Sequence, residues 1–328
     1  MNYELTIALP CYNLEKTLSA SLDSVLKQNH SDEVEILIVD NSSSDGSVEI
    51  AKSYEEKYAN VKCIQNETNI GPDRNFLKCL EIAEGKYVLL LGDDLLLDGT
   101  LDLIFACIAQ NPDFVFLNYS PLISLDPLKV GDTYVKPANE DDCYVPQNID
   151  DLFLRIGHRM TFLSSLLFKK ERIDAIDEEV KESYIDSYFL QTHLAMLTLK
   201  DSTLNIIIQK NCVAAGANLG CGYDFYNVWF EQYHKLLFET GGKIGVGTDT
   251  IEKLWVQQKS TIRAIYYFRW VTKASKHWDK KCVRRNLKGH PYLKFKASIA
   301  VYMPRIFLPF MMLLRAIYRK IKRSRIKK

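Results

Sequence analysis

Apolar residues along this chain come in blocks, and the spacing inside each block sets the element it predicts. Residues 4–9, "ELTIAL", form an apolar run that predicts a buried strand ending at Pro10. From Leu14 to Gln28 the period lengthens to that of a helix, with Leu18, Leu22, Val25 and Leu26 on one face. The alternation then repeats. "EILIVD" (35–40) predicts a strand, followed by a helix from Ser47 to about Tyr58. "VKCIQ" (61–65) predicts another, followed by a helix from Pro72 to Ala83 with proline in its favoured first position. "KYVLLL" (86–91) leads to a helix over Thr100–Gln110, and "FVFLNY" (114–119) is the fifth strand.

Strands that are apolar throughout, rather than at every second residue, are covered on both faces. Joined by helices, they predict an α/β fold with a mostly parallel sheet. Ligands of such sheets bind beyond the carboxyl ends of the strands. The loops expected there are "PCYN", "DNSSSDG", "NETNIGPDRN" and "GDDLLLDG". No G-x-G-x-x-G follows the first strand, which argues against a dehydrogenase-type dinucleotide fold. Past residue 120 the pattern weakens. Residues 121–150, rich in proline and acids, are expected to form an ordered loop over the sheet. "TFLSSLLFKKERI" (161–173) predicts a strand entering a turn, residues 183–200 a helix, and residues 204–210 a strand. Residues 223–277 read as mostly helical and aromatic-rich.

Composition adds little until charge is followed along the chain. At 47 % apolar and 25 % charged residues the protein is an ordinary globular one. Its eight cysteines show no zinc-type spacing and are expected to be reduced thiols of a cytosolic protein, and "MNYELTIALP" lacks the pattern of a signal peptide. The net charge of +1 hides an asymmetry: all 41 acids precede Cys282, whereas the 16 basic residues from Lys280 onward face no acid. An acidic body with a basic tail seeks an anionic surface. Ala297–Leu314 is apolar except for Arg305 and is broken by Pro304 and Pro309. A spanning helix wants roughly 20 apolar residues, so an interfacial or re-entrant anchor is expected. The eight basic residues among the last 14 would contribute roughly 1 kcal/mol each on anionic lipid. Nucleic acid is not the expected partner.

The candidate chemistry centres on "LLLGDDLLLDG" (89–99), where Asp93 and Asp94 follow an apolar run with no basic neighbour. Adjacent carboxylates repel, so the pair points to a cation. The alternative is a solvated turn capping the helix at Thr100, a role that Asp98 fits better.

Taken together, four segments resemble the family 2 glycosyltransferases of GT-A fold: "ALPCYN", "VDNSSSDGS", "NIGPDRN" and "LGDDL", in the family's order over residues 4–120. The resemblance implies a nucleotide-sugar-binding half (1–120), an acceptor-binding half (121–222), a helical C-terminal region (223–296) and a membrane-associating basic amphipathic tail (297–328). It implies Mg²⁺ or Mn²⁺ bound by Asp94, with Asp93 as a further ligand or nearer the donor sugar or ribose. The family usually carries another acid two residues before Asp93, where this chain has Leu91. Pro10 and Tyr12 correspond to the turn that holds the base, although Tyr12 also suits a hydrophobic staple. Asp40 and Asn41 correspond to two acids that read base and ribose; with Asn at the second place, the preference for uridine stays open. Arg74 corresponds to the arginine near the diphosphate or base, or is an exposed helix residue. The general base is expected to be Asp186 in "YIDSYF", with Glu182, Glu178 and Asp177 as competitors and His193 as a packed core histidine.

The implied function is inverting transfer of a sugar from a nucleotide-diphosphate donor, first of all a UDP-sugar. The acceptor is a hydroxyl of a lipid-linked saccharide in cell-surface polysaccharide synthesis, met at the cytoplasmic face of the membrane. Transfer to a polyprenyl phosphate is a second reading. A homologue that binds nucleotide or glycan without turnover is a third, to which Leu91 and Asn41 point.

Overall fold

A computed structural model describes residues 3–216, 224–257, 280–287 and 289–302. Two compact units are present: Met1–Leu219 with Leu236–Ile251, and Gly220–Lys235 with Glu252–Lys328. The helical region expected from residue 223 is therefore divided, because residues 236–251 return to the first unit. His193 of the first unit, for example, hydrogen-bonds Thr240 at 2.8 Å.

In the first unit the alternation is realised as β1 (Leu5–Cys11), α1 (Leu18–Leu26), β2 (Val34–Asp40), α2 (Ser47–Lys57), β3 (Val61–Gln65), α3 (Pro72–Ile82) and β4 (Tyr87–Leu90). These strands pair in parallel in the order β3-β2-β1-β4. Every residue of β2 is buried, as its continuous apolar run requires. Its one interior acid, Glu35, is satisfied by the Thr6 hydroxyl at 2.6 Å and the Glu84 amide at 2.9 Å. After β4 come β5 (Leu95–Leu96), α4 (Thr100–Ile108), β6 (Phe114–Ser124), β7 (Lys129–Val130), β8 (Cys143–Tyr144), α5 (Ile149–Ile156), β9 (Leu166–Lys169), α6 (Leu190–Thr198) and β10 (Asn205–Ala215).

The fifth predicted strand does not lie beside the fourth. β9 stands between β4 and β6, antiparallel to both, and β10 then pairs in parallel with β6. Helix α5 has no counterpart in the sequence reading, although its signals are present. The Asn148 side chain accepts the Asp151 amide as an N-cap, and Leu152, Phe153 and Ile156 form the buried face. The helix expected over 183–200 begins only at Leu190. Asp186 and Tyr188 ahead of it both have φ of 63°, which a helix forbids.

The second unit packs Trp255 against Phe230 and Tyr233, with ring centroids 6.3 and 6.4 Å apart. Its helices Lys280–Asn286 and Pro291–Tyr302 follow. Most of the expected membrane tail, residues 303–328, lies outside the described residues. Among those described, no helix is long and apolar enough to cross a membrane.

Candidate functional site

Because β1, β2, β3 and β4 run in parallel, the loops after them gather at one sheet edge. The first two loops are laced together. The Asn41 amide donates to the Cys11 carbonyl at 2.8 Å, the Leu14 amide to the Ser47 hydroxyl at 2.7 Å and the Ser44 amide to Asn13 Oδ1 at 2.9 Å. Asp45 serves the turn, as read from the sequence: its carboxylate accepts the Ser47 and Glu15 amides, each at 3.1 Å. Tyr12, one residue past β1, is 48 % exposed at this edge, while Pro10 is half-buried in the strand.

Asp40 is fully buried. One carboxylate oxygen accepts the Ser43 amide at 3.0 Å and the other has no hydrogen-bond partner. Burial and this neighbouring carboxylate push the Cys11 thiol up to about 12. Asn41 does not present its amide to a ligand. Its Nδ2 donates to Asn69 Oδ1 at 2.9 Å and the Gly71 carbonyl at 3.2 Å, and its Oδ1 accepts Asn66 Nδ2 at 3.1 Å and the Ile70 amide at 2.9 Å. Two donors and two acceptor sites are the whole capacity of the side chain. Asn41 therefore builds the loop 66–71, which enters α3 through Gly71 at φ 84°.

The start of α3 reaches the segment carrying the other candidate acids. Arg74 makes a two-pronged ion pair with Glu182, at 2.9 and 2.8 Å, with both side chains about half exposed. Asp73, buried, accepts the backbone amide of Asp186 at 2.8 Å; burial raises its carboxyl above the usual range. The exposed Asp186 is thus held by its backbone on α3, in a left-handed turn rather than at a helix start. His193 is a packed core residue: it stacks on Tyr184 at 4.1 Å, and burial pushes its pKa down to about 3.

At the end of β4 the acid pair splits into two environments. Asp93 is half-buried, whereas Asp94 is only 6 % exposed. Asp94 Oδ2 accepts the Ser164 hydroxyl at 2.6 Å and Oδ1 accepts the Gly216 amide at 2.7 Å. Burial raises its pKa to about 6 against those two hydrogen bonds, and Asp93 adds to the rise. A Cβ at position 216 would stand 3.3 Å from the Asp93 carbonyl, a tight contact that glycine avoids. Ser164 and Gly216 were not found from the sequence; neither belongs to a recognisable motif. Leu91 is fully buried and its amide closes the ladder to Ala8 at 2.8 Å, so no third carboxylate is available there. Asp98 pairs with Lys27 at 2.6 Å rather than capping α4, whose N-cap is Gly99.

Among the described residues no group of three or more His, Cys, Asp or Glu is arranged for a metal. Two carboxylates completed by phosphate oxygens of a ligand are nonetheless a donor set that Mg²⁺-type cations use. Each Asp94 oxygen, having accepted one hydrogen bond, retains a second lone pair.

The glycosyl transferase family 2 model matches residues 6–119, the span that holds β1 to β4 and the acid pair. Over that span the chain matches the family 2 glycosyltransferases. The chain is 32 % identical over 203 residues to the abequosyltransferase RfbV of Salmonella typhimurium, covering 58 % of this chain and 60 % of that protein. It is 36 % identical over 94 residues to the putative glycosyltransferase EpsE of Bacillus subtilis, covering 28 % and 34 %. The chain thus spans less than two thirds of these relatives. Among solved structures, S. aureus TarS (residues 1–349) in complex with UDP-GlcNAc superposes with a TM-score of 0.61 at 18 % identity, over 91 % of this chain and 81 % of that one. A mannosyltransferase of Pyrobaculum calidifontis in complex with GDP-Man and Mn²⁺ gives 0.53 at 15 % identity, over 99 % and 83 %. The chain has the GT-A fold, with its mostly parallel sheet and a helical C-terminal region.

Proposed function

We propose that this protein is a metal-assisted, inverting glycosyltransferase that moves a sugar from a nucleoside-diphosphate donor to a hydroxyl of a lipid-linked saccharide. The observation that carries the reading is the acid pair Asp93–Asp94 at the end of β4, on the edge where the loops after β1 and β2 converge. A divalent cation held there would neutralise charge developing on the leaving diphosphate. Asp94, fixed by Ser164 and Gly216, would be its rigid ligand and Asp93 the second. Tyr12 and Pro10 would flank the base. Asp40 would meet the nucleoside only if the Ser42–Ser44 turn opens, because its carboxylate is covered. Asn41 acts indirectly, by shaping the loop that leads to Arg74. Arg74 would pair with the diphosphate by exchanging Glu182 for phosphate oxygens, which suit the same planar fork.

Asp186 would take the proton from the attacking hydroxyl. Its exposed carboxylate stands on a turn whose backbone is clamped to Asp73, so its place is set by α3 and not by its own flexibility. Glu182, engaged by Arg74, is the weaker candidate. The basic tail would hold the enzyme on anionic lipid, where its acceptor resides.

Calorimetry with UDP and with GDP, each with Mn²⁺ and with EDTA, tests the donor half. Metal-dependent affinity that Asp94→Asn abolishes is expected, and equal affinity in EDTA refutes the reading. Asp186→Asn should keep donor affinity while turnover falls by roughly 10²–10⁴-fold; near-normal turnover would transfer the role to another acid.

A further inference from the structure

The thiols of Cys107 and Cys143 meet in the first unit with 3.4 Å between their sulfurs, across 36 residues of sequence. Neither has a part in the donor site. Cys107 is fully buried in α4, and Cys143 is half-buried in β8. Each element is fastened separately to β10. Strand β8 pairs with it through Ile208 and Cys143, and the Thr100 hydroxyl at the start of α4 donates to the Cys212 carbonyl at 3.0 Å. The scaffold, not a loose loop, brings the sulfurs together. A covalent bond needs about 2.05 Å, so the sulfurs must approach further for it to form.

Electrostatics separates the roles of the two thiols. The hydrogen bond from Cys107 holds the Cys143 thiol below its ordinary value, and Lys210 acts in the same direction against burial and Asp142. Cys107 is pushed up by that same bond and by burial. Cys143, the more exposed of the two sulfurs, is the one that a small oxidant reaches first.

We propose that Cys107 and Cys143 are a reversible oxidation site, which a hydroperoxide converts to a disulfide. The Cys143 thiolate attacks one peroxide oxygen; the O–O bond breaks, leaving a sulfenic acid, and with hydrogen peroxide the released hydroxide takes up the proton that the Cys143 thiol gave up and becomes water. The Cys107 sulfur then attacks the sulfenic sulfur, the S–O bond breaks, and the hydroxyl leaves as a second water with the Cys107 proton. Two electrons pass from the thiols to the peroxide, and one disulfide and two waters result. The product closes a covalent loop around β6 and β7 and ties β8 to α4.

The full chain, reduced and then exposed to hydrogen peroxide, is digested without reductant and mapped by mass spectrometry, with dimedone as the sulfenic-acid trap. A Cys107–Cys143 cross-link that dithiothreitol reverses is expected. Cys107→Ser should leave a dimedone adduct on Cys143, and Cys143→Ser should leave none on Cys107. A cross-link from Cys143 to Cys212, or recovery of both peptides as free thiols from oxidised wild-type protein, overturns the proposal. The wild-type map and the half-buried Cys143→Ser decide the matter even if Cys107→Ser does not fold. The outcome is independent of nucleotide binding.

Discussion

Replacing Asp94 by asparagine should make the metal-free protein more stable at alkaline pH, although it removes the proposed metal ligand. Burial pushes the Asp94 carboxyl up to about 6, well above the usual carboxylate range. Its pKa rises on folding, so the native state keeps the proton longer. This group's contribution to stability is full below pH 4 and is lost as pH climbs through 6. A rise of about 2 units at 1.36 kcal/mol each puts the cost of the buried charge at about 3 kcal/mol above pH 7. Asparagine carries no such cost and keeps both contacts: its oxygen can accept the Gly216 amide, and its Nδ2 can donate to the Ser164 hydroxyl after that hydroxyl rotates. Urea unfolding in EDTA at pH 5 and pH 8 measures the difference. Far-UV circular dichroism is the suitable signal, because all four tryptophans fall in the second unit. The variant should gain on wild type by up to about 3 kcal/mol at pH 8, and the gain should fall to about half of that at pH 5 and vanish below pH 4. With Mn²⁺ and nucleoside diphosphate at 100 times Kd the difference should nearly close, since ligand stabilises only the protein that binds it, by about 2.7 kcal/mol, and at 1,000 times Kd, where it gives about 4.1 kcal/mol, the order should reverse. A variant less stable than wild type at pH 8 in EDTA would show that the hydrogen bonds outweigh the buried charge, and the reasoning would fail.

Asn41→Asp restores the acid usual in the family, yet it should cost about 1–3 kcal/mol, because a carboxylate cannot donate to Asn69 and the Gly71 carbonyl. Thermal melts and donor calorimetry check this, and improved donor affinity with unchanged stability would refute it. His193, neutral in the fold with its pKa near 3, binds its proton less readily than the unfolded chain does, so it withdraws stability as pH falls below 6.5. His193→Asn should flatten the slope of stability between pH 6.5 and 4 in urea titrations, and an unchanged slope would assign acid sensitivity elsewhere. Glu182→Gln removes an exposed ion pair and should alter stability by less than about 1 kcal/mol while tightening binding of nucleoside diphosphate to the released Arg74; weaker binding would contradict the exchange. Deleting the chain after Lys288 should release the protein from anionic vesicles in flotation assays, whereas continued flotation would place the anchor elsewhere.

The sequence by itself determined the first half of the fold, because the forces that shape it are local. Continuous apolar runs such as "EILIVD" can be satisfied only by strands covered on both faces, and helical periods between them leave one main connection. Parallel strands in turn put Tyr12, Asp40 and the acid pair at one edge before any contact is known. Tertiary structure alone decided what those residues touch. Asp94 is held by an amide 122 residues away and a hydroxyl 70 residues away. Arg74 meets Glu182 across 108 residues. The amide of Asn41 is spent on a loop 25 to 30 residues further along. The insertion of β9 between β4 and β6 likewise leaves no periodic mark on either neighbour. A side chain's identity fixes how many hydrogen bonds it can make, but its partners follow from how distant segments pack. That packing made Asn41 a structural residue and Asp94 a buried carboxylate held by two distant partners.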